Sequence, residues 1–132
     1  MIPGIKVDGG AKPFAGHPDE LVTEGLAGLG ERVSEYYAMG ARFAKWRAVI
    51  TISQSERYAN GENIPSTACI EANADALAKY AAICQTHGLV PIVEPEVLIN
   101  GNHTLDRCRE VTKATLKAVF KQLTAQGVAL DH

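Results

Sequence analysis

The chain has 132 residues, of which 46% are hydrophobic, and its 13 basic and 15 acidic side chains give a formal net charge of −2 at pH 7. This length and apolar content suit one domain with a hydrophobic core, residues 1–132, and exclude disordered and fibrous classes. The near-neutral charge argues against nucleic acid or an anionic membrane as a partner. The longest apolar runs are strand-sized and no signal-peptide pattern is present, so no membrane association is expected.

The cysteines and histidines favour a cytoplasmic protein without a metal site. Cys69, Cys84 and Cys108 are an odd set without Cys-x-x-Cys spacing, which is typical of reduced, buried thiols in a reducing compartment. The histidines fall in predicted loops or at predicted helix ends, and their spacing is not that of metal ligands. No glycine-rich phosphate-binding motif is present.

The first strand–helix unit begins with a short β-leaning run, Ile2 to Asp8, which Gly9-Gly10 ends. A loop rich in Pro and Gly follows. The spacing of apolar residues predicts a helix from Gly25 to Met39, and Gly40 is a good helix stop. The apolar stripe of this helix is Leu26, Leu29, Val33 and Tyr36.

The second unit begins with a predicted strand from Phe43 to Ile52, and a long polar loop, Ser53 to Pro65, follows it. Ser66 is a predicted N-cap, and the helix after it reaches to Gly88. The apolar stripe of this helix is Ile70, Leu77, Ala81 and Cys84.

The third unit begins with a predicted strand from Leu89 to Val93, which Pro95 closes. Thr104 is expected to cap the last helix, and Gly127 to end it. The stripe of this helix is Leu105, Cys108, Val111, Thr115, Val119, Phe120 and Leu123.

This alternation of strand and helix indicates an α/β protein with parallel strands in sequential order and helices packed outside the sheet. In the second strand, side chains alternate between two faces. Lys45 and Arg47 share one face, whereas Trp46 lies on the other and is predicted to pack beneath the helices. A strand face that carries cations fits the lumen of a barrel.

Every predicted strand carries a pair of charged residues: Lys6 and Asp8 end the first, Lys45 and Arg47 lie on the second, and Glu94 and Glu96 end the third. Because the carboxyl ends of parallel strands meet at one edge, we expect these residues to converge on one rim. Cations there can bind phosphate, and a carboxylate that faces lysines is suited to proton transfer. Burial in the strands would make such charges costly, so each is expected to have a partner or a task.

Four segments closely resemble class I (Schiff-base) fructose-bisphosphate aldolase: Gly4–Asp8, Phe43–Arg47, Leu77–Ala81 and Val90–Glu96. The resemblance implies a (β/α)₈ TIM barrel, of which about three of the eight strand–helix units are present. It also implies the cleavage of fructose 1,6-bisphosphate to dihydroxyacetone phosphate and glyceraldehyde 3-phosphate, in glycolysis and gluconeogenesis. A homo-oligomer is expected. No cofactor is expected, because a lysine Schiff base takes the place of a metal.

The resemblance also implies a role for each charged residue. Glu94 is similar to the general acid/base, and Lys45 to the lysine that contacts substrate hydroxyls and stabilises charge beside that glutamate. Lys6 resembles a further cation of the lumen, and Arg47 resembles a ligand of the substrate phosphate. Glu96 resembles the residue that positions its neighbours. Asp8, at the end of the first predicted strand, is a further candidate supporting residue.

The chain departs from the family pattern in one important respect. The family's Schiff-base lysine lies in a Leu-Lys-Pro-Asn string on a later strand, and these 132 residues contain no such string. A complete barrel takes about 250 residues, so the expectation is a middle segment that is inactive in isolation. The alternative is a non-catalytic fragment of the aldolase scaffold that binds sugar phosphates or self-associates.

Overall fold

The computed structural model of the chain describes residues 1–57 and 63–132. Within these ranges the strands are β1 (Gly4–Lys6), β2 (Ala11–Pro13), β3 (Leu21–Thr23), β4 (Phe43–Ile50), β5 (Ser53–Arg57), β6 (Asn63–Ile64) and β7 (Val90–Val97). The helices are α1 (Leu29–Ala38), α2 (Thr67–Thr86) and α3 (Leu105–Ala125). The polar loop predicted for Ser53 to Pro65 falls partly on residues 58–62, which lie outside the described residues.

The three predicted strands form one parallel sheet in the order β1-β4-β7, which confirms the α/β prediction. β1 pairs with the first half of β4, where Gly4 lies opposite Phe43. β4 pairs with β7 along its whole length, from Phe43 opposite Val90 to Ile50 opposite Val97. Helices α2 and α3 contact this sheet, and α1 packs against α2.

Strand β7 continues to Val97, so the prediction that Pro95 closes it is wrong. The amide of Val90 donates to the carbonyl of Arg42, and the amide of Leu98 donates to that of Ile50. The even-numbered amides of β7 therefore face β4. Pro91 and Pro95 occupy the alternate positions, whose amide would point away from β4, so neither proline interrupts the ladder.

Both predicted capping residues are confirmed. The Ser66 hydroxyl accepts a hydrogen bond from the amide of Cys69 at the start of α2. The Thr104 hydroxyl does the same for the amide of Arg107 at the start of α3. Each bond satisfies one of the amides that a helix N-terminus leaves without an internal partner.

Helix α1 begins at Leu29, later than the predicted start at Gly25. The φ angles of Gly25 and Gly28 are 131° and 63°, on the left-handed side of conformational space. A residue in that conformation cannot continue a right-handed helix, and Gly28 becomes the N-cap position instead.

Two short antiparallel ladders were not predicted from the sequence. β2 pairs with β3, from Ala11 opposite Thr23 to Pro13 opposite Leu21, inside the first predicted loop. β5 pairs with β6 inside the predicted polar loop. Alternation of apolar and polar residues becomes recognisable only over about four to eight residues, so most of these strands are too short to show it.

The alternation of β4 separates an apolar face, turned to the helices, from a charged face. The residues of the apolar face have no exposed surface: Ala44, Trp46, Ala48 and Ile50. The Trp46 ring stacks on Tyr80 of α2, with ring centroids 5.4 Å apart and an interplanar angle of 29°. The Tyr80 hydroxyl donates to the carbonyl of Ile92 at 3.2 Å and so ties α2 to β7. Trp46 thus points toward the helices, as predicted.

The stripe of α3 is narrower than predicted. Its buried residues are Val111, Thr115, Val119 and Leu123, whereas Leu105 and Phe120 are 86% and 53% exposed. Leu105 is the first residue of the helix, and Phe120 is turned by about 100° from Val119 around the helix axis. None of the helices in the described part of the chain has the length and apolar character needed to cross a membrane.

Candidate active site

Six charged residues come together at the end of β1 and along the middle of β4 and β7, and we call them the charged rim: Lys6, Asp8, Lys45, Arg47, Glu94 and Glu96. Lys45 is in the first half of β4, so the expected position at the carboxyl end of the strand is wrong for this residue. The register of the parallel sheet brings them together, because Lys6 lies opposite Lys45 and Arg47 lies opposite Glu94. Since side chains alternate along a strand, the charged residues of β4 lie on the face opposite Trp46.

Each cation of the charged rim is paired with one carboxylate: Lys45 with Glu94, Arg47 with Glu96, and Lys6 with Asp8. The distance between Lys45 Nζ and Glu94 Oε2 is 2.6 Å. The two cross-strand pairs follow the same diagonal. Ile92 lies opposite Lys45 and Glu94 lies opposite Arg47, so each cation reaches the acidic residue two positions further along β7.

The cross-strand pairs are less buried than the sequence suggested. The side chains of Lys45 and Glu94 are 34% and 35% exposed, and those of Arg47 and Glu96 are 41% and 37% exposed. The expectation of costly buried charge is therefore wrong for these four residues, because the helices cover only the other face of the sheet. Asp8 is the exception, with a side chain that is 2% exposed.

The pair of Arg47 and Glu96 is firmly ionised. The hydrogen bond from Arg47 lowers the pKa of Glu96 below its usual range and raises the pKa of Arg47 in turn. The charges of Lys45 and Glu94 act in the same directions on Glu96 and Arg47 respectively. Glu94 therefore lies between two cations, its partner Lys45 and the Arg47 opposite it on β4.

Asp8 accepts hydrogen bonds from three donors. Lys6 Nζ and the amide of Gly10 donate to Oδ1, the latter at 3.0 Å, and the amide of Arg47 donates to Oδ2 at 3.1 Å. Burial by itself would raise the pKa of Asp8, but these donors bring it below the usual range of an aspartate. Asp8 is therefore a carboxylate at neutral pH and links β1 to β4.

Sequence reasoning missed two polar residues in the region of the β2–β3 hairpin, one bonded to the charged rim and the other to the start of α2. The hydroxyl of Thr23 on β3 donates to the carbonyl of Arg47 at 2.8 Å. Glu20 is only 3% exposed and accepts from the Ser66 amide at 2.7 Å and from its hydroxyl at 2.6 Å. Both residues belong to the hairpin region, whose sequence shows no recognisable strand pattern. The available signal was the predicted N-cap Ser66, with which Glu20 is hydrogen-bonded.

The cysteines and the other potential ligands form no metal centre in the described ranges, 1–57 and 63–132. No three His, Cys, Asp or Glu side chains converge there as metal ligands would. Cys69, Cys84 and Cys108 are unpaired thiols. Burial raises the pKa of Cys69 and of Cys84 to about 12, so both remain protonated and unreactive near neutral pH.

Parallel strand–helix units with helices on one face of the sheet and charged side chains on the other are the arrangement of the wall of a β/α barrel. The sheet of this chain has it over three strands. Comparison with known proteins makes the assignment specific. A family model described as "Glycolytic: Fructose-bisphosphate aldolase class-I" matches residues 1–132, and the chain belongs to that family.

Relatives and a solved structure agree with this assignment. Over 131 residues, 99% of this chain and 37% of the relative, the chain is 61% identical to a Xanthomonas campestris protein named "Probable fructose-bisphosphate aldolase class 1". It is 52% identical over 128 residues, 97% of this chain, to the fructose-bisphosphate aldolase of Dictyostelium discoideum. It is 49% identical over 131 residues to a spinach isozyme named as cytoplasmic.

A solved aldolase of Plasmodium falciparum, in a ternary complex with TRAP and a small-molecule inhibitor, matches the fold with a TM-score of 0.89 and 47% identity. The match covers 97% of this chain and 35% of that structure. The chain thus spans about a third of the length of the relatives it matches. The predicted family and the predicted fold, part of an aldolase barrel, are confirmed.

Proposed function

We propose that this protein cleaves fructose 1,6-bisphosphate to dihydroxyacetone phosphate and glyceraldehyde 3-phosphate in the cytoplasm, and that this chain supplies acid/base and substrate-binding residues. The observation that carries the proposal is the pair of Lys45 and Glu94, whose Nζ and Oε2 atoms lie 2.6 Å apart on the open face of the sheet. A partly exposed carboxylate beside a lysine can reach a substrate and exchange protons with it.

The two members of this pair have different tasks in the proposed reaction. Aldol cleavage requires a base that removes the proton of the hydroxyl group that becomes a carbonyl. Glu94 is the candidate base, and it returns protons in the reverse direction. Lys45 stabilises negative charge that develops on substrate oxygens, as a fixed cation beside the reacting atoms does.

The other cations of the charged rim are proposed to hold the substrate. Arg47 presents a planar guanidinium, whose geometry matches phosphate oxygens, and Glu96 orients it by accepting a hydrogen bond from its Nε atom. Lys6 adds a point charge on the neighbouring strand, opposite Lys45. Activation of the substrate carbonyl is assigned, by family resemblance, to a lysine Schiff base that these 132 residues do not supply.

A hybrid enzyme tests the proposed function directly. The matching segment of the Dictyostelium aldolase, about a third of its length, is replaced by this chain, and cleavage is followed by a coupled assay of triose-phosphate release. We expect the hybrid to cleave fructose 1,6-bisphosphate. The unmodified host enzyme is the positive control, and a hybrid that folds like the host but does not cleave this substrate contradicts the proposal.

Chelation is expected to leave the hybrid fully active. An iminium formed on a lysine acts as the electron sink, so the reaction does not depend on a metal Lewis acid. Activity is measured before and after EDTA treatment, and a metal-dependent aldolase treated in parallel verifies that the chelator works. Loss of activity that added zinc restores would assign the protein to the metal-dependent mechanism instead.

The 132-residue chain by itself is expected neither to cleave the substrate nor to trap it. Proximity gives large accelerations only when the reacting groups are held together, and the proposed nucleophile is not on this chain. Mass spectrometry after borohydride treatment with dihydroxyacetone phosphate should find no substrate adduct on Lys6 or Lys45. The hybrid should give an adduct on a lysine of the host segment. An adduct specific to Lys6 or Lys45 would make that residue a nucleophile.

Self-association of the chain is a second candidate property, and an apolar groove favours it. The groove runs between β7 and α3, and its lining includes Pro91, Val93, Leu116, Phe120 and Leu130. Phe120 is 53% and Leu130 58% exposed, and β7 is also a free edge of the described sheet, which invites pairing between copies.

We expect the chain to sediment as a concentration-dependent oligomer. Phe120→Glu should shift it toward the monomer, because a buried charge opposes association across the groove. Leu105→Glu is the matched control, since Leu105 is an 86% exposed residue of the same helix outside the groove. A compact wild-type monomer at all concentrations would contradict self-association, and equal effects of both substitutions would contradict association through the groove.

A further inference from the structure

The carboxylate of Asp8 occupies the place where the β1–β4 ladder stops being regular. The last regular bond joins the amide of Val7 to the carbonyl of Lys45 at 3.0 Å. In a continued parallel ladder, the carbonyl of Val7 and the amide of Gly9 would bond to the two peptide groups of Arg47. Both are engaged elsewhere.

The displaced backbone groups have identifiable partners. The guanidinium of Arg32 on α1 donates to the carbonyl of Val7 at 3.1 Å. The amide of Gly9 donates to the carbonyl of Glu24 at 2.8 Å. The chain after β1 therefore turns away from β4 into the hairpin, and Arg47 would lose its main-chain neighbours on this side.

Side chains replace these neighbours. Asp8 Oδ2 accepts from the amide of Arg47 at 3.1 Å, and the Thr23 hydroxyl donates to the Arg47 carbonyl at 2.8 Å. The other oxygen of Asp8 accepts from Lys6 Nζ and from the amide of Gly10. One carboxylate thus binds the ammonium of Lys6 and the backbone of Arg47 at the same time.

Asp8 also differs from the other carboxylates of the charged rim in its burial. Its side chain is 2% exposed, against 35% for Glu94 and 37% for Glu96. An exposed carboxylate can move aside when an anionic ligand binds its cation. A buried carboxylate that accepts three hydrogen bonds cannot move without leaving donors unsatisfied.

We propose that Asp8 is a positioning residue for the sugar-phosphate substrate, which fixes the ammonium of Lys6 and the backbone of Arg47 relative to each other across two strands. This inference rests on the proposed function for the identity of the ligand. The coupling of the two cations through Asp8 is a property of this chain and can be measured without any ligand.

Three variants of the chain test that coupling. In Asp8→Asn the shape is kept and the charge is lost, so acetylation of Lys6 should accelerate about 2- to 5-fold, as expected for loss of a partly exposed ion pair. In Asp8→Ala the acceptor is lost as well, so the amide of Arg47 should exchange faster with solvent deuterium. In Lys6→Met the pKa of Asp8, followed by carboxyl ¹³C NMR, should rise.

The matched control is Asp75→Asn, which removes an exposed carboxylate from its pair with Lys79, an ion pair of 2.7 Å on α2. This control should leave Lys6 and Arg47 at wild-type rates. Unchanged Lys6 acetylation in Asp8→Asn would overturn the inference. If Asp8→Ala does not fold, Lys6→Met decides, because it alters only a half-exposed side chain, and an unchanged pKa of Asp8 in that variant would overturn it too.

The KM of the hybrid aldolase distinguishes loss of positioning by Asp8 from loss of its negative charge. Loss of a negative charge near a phosphate site should by itself tighten binding of an anionic substrate, whereas loss of positioning should weaken it. We expect Asp8→Asn to raise KM about 10-fold with a smaller change in kcat, and Asp75→Asn to change neither. An unchanged or lower KM in Asp8→Asn overturns the inference. A folded wild-type hybrid without activity refutes the proposed function instead, and leaves the ligand-free coupling to be judged by the chain variants.

Discussion

Glu94→Gln in the hybrid aldolase should lower kcat by a factor of about 10² to 10⁴, the usual contribution of a general acid/base, while KM changes little. Glutamine has nearly the shape of glutamate and can still accept a hydrogen bond from Lys45, but it cannot take up a proton near neutral pH. Steady-state kinetics of fructose 1,6-bisphosphate cleavage give both constants. A large loss of kcat with retained substrate affinity is the signature of a group that acts in the transition state.

The matched control for this prediction is Glu110→Gln. Glu110 is an exposed glutamate of α3, outside the charged rim, that lies 3.5 Å from Arg107 in an ion pair of its own. Its substitution should leave kcat and KM unchanged. An unaltered kcat in Glu94→Gln would refute the acid/base assignment, and a rise in KM alone would make Glu94 a substrate-binding residue.

The strand order and the charged face could be predicted because they depend on short-period patterns. The alternation of Lys45, Trp46 and Arg47 determines which side chains face the helices, and the repeated strand–helix pattern predicts parallel neighbours in sequential order. These features are local in sequence or follow from general rules of topology. The pairing of Lys45 with Glu94 also depends on the register of β4 against β7, which the structure supplies.

The tertiary hydrogen bonds that hold the β2–β3 hairpin region against β4 and α2 could not be predicted in the same way. The bond from Thr23 to Arg47 joins residues 24 positions apart, and the bond from Ser66 to Glu20 joins residues 46 positions apart. Three-residue strands such as β2 and β3 carry no usable periodicity. Tertiary hydrogen bonds, rather than strand propensity, hold this hairpin in place.

The exposed fraction of the charged side chains could not be predicted from the sequence either. The alternation of apolar and charged residues indicates which face of the strand the helices cover, but it does not say how far the charged face stays open to solvent. In β4 the face with Trp46 is fully buried, while the face with Lys45 and Arg47 remains partly open. An open charged face is what a ligand-binding surface requires, so the difference strengthens the interpretation of the charged rim.

Trp46→Ala should destabilise the chain more than any substitution on the charged face, by about 3–5 kcal/mol in free energy of unfolding. Trp46 has no exposed surface and stacks on Tyr80 with centroids 5.4 Å apart. Its removal leaves a cavity between β4 and α2. Because a domain of this size is usually stable by only about 5–15 kcal/mol, urea denaturation followed by circular dichroism should show a much lower midpoint.

Two further variants show whether the loss comes from the packed ring. Trp46→Phe should cost much less, because it keeps an aromatic ring and removes an indole N–H that is buried without a partner in the described part of the chain. Tyr37→Ala removes an exposed aromatic ring whose cation–π contact with Arg42 has a distance of 4.0 Å, so its cost should stay below about 1 kcal/mol. A Trp46→Ala midpoint equal to that of Tyr37→Ala would mean that the sheet is not anchored through this ring. The position of Lys45, the preceding residue on the strand, would then need another structural cause.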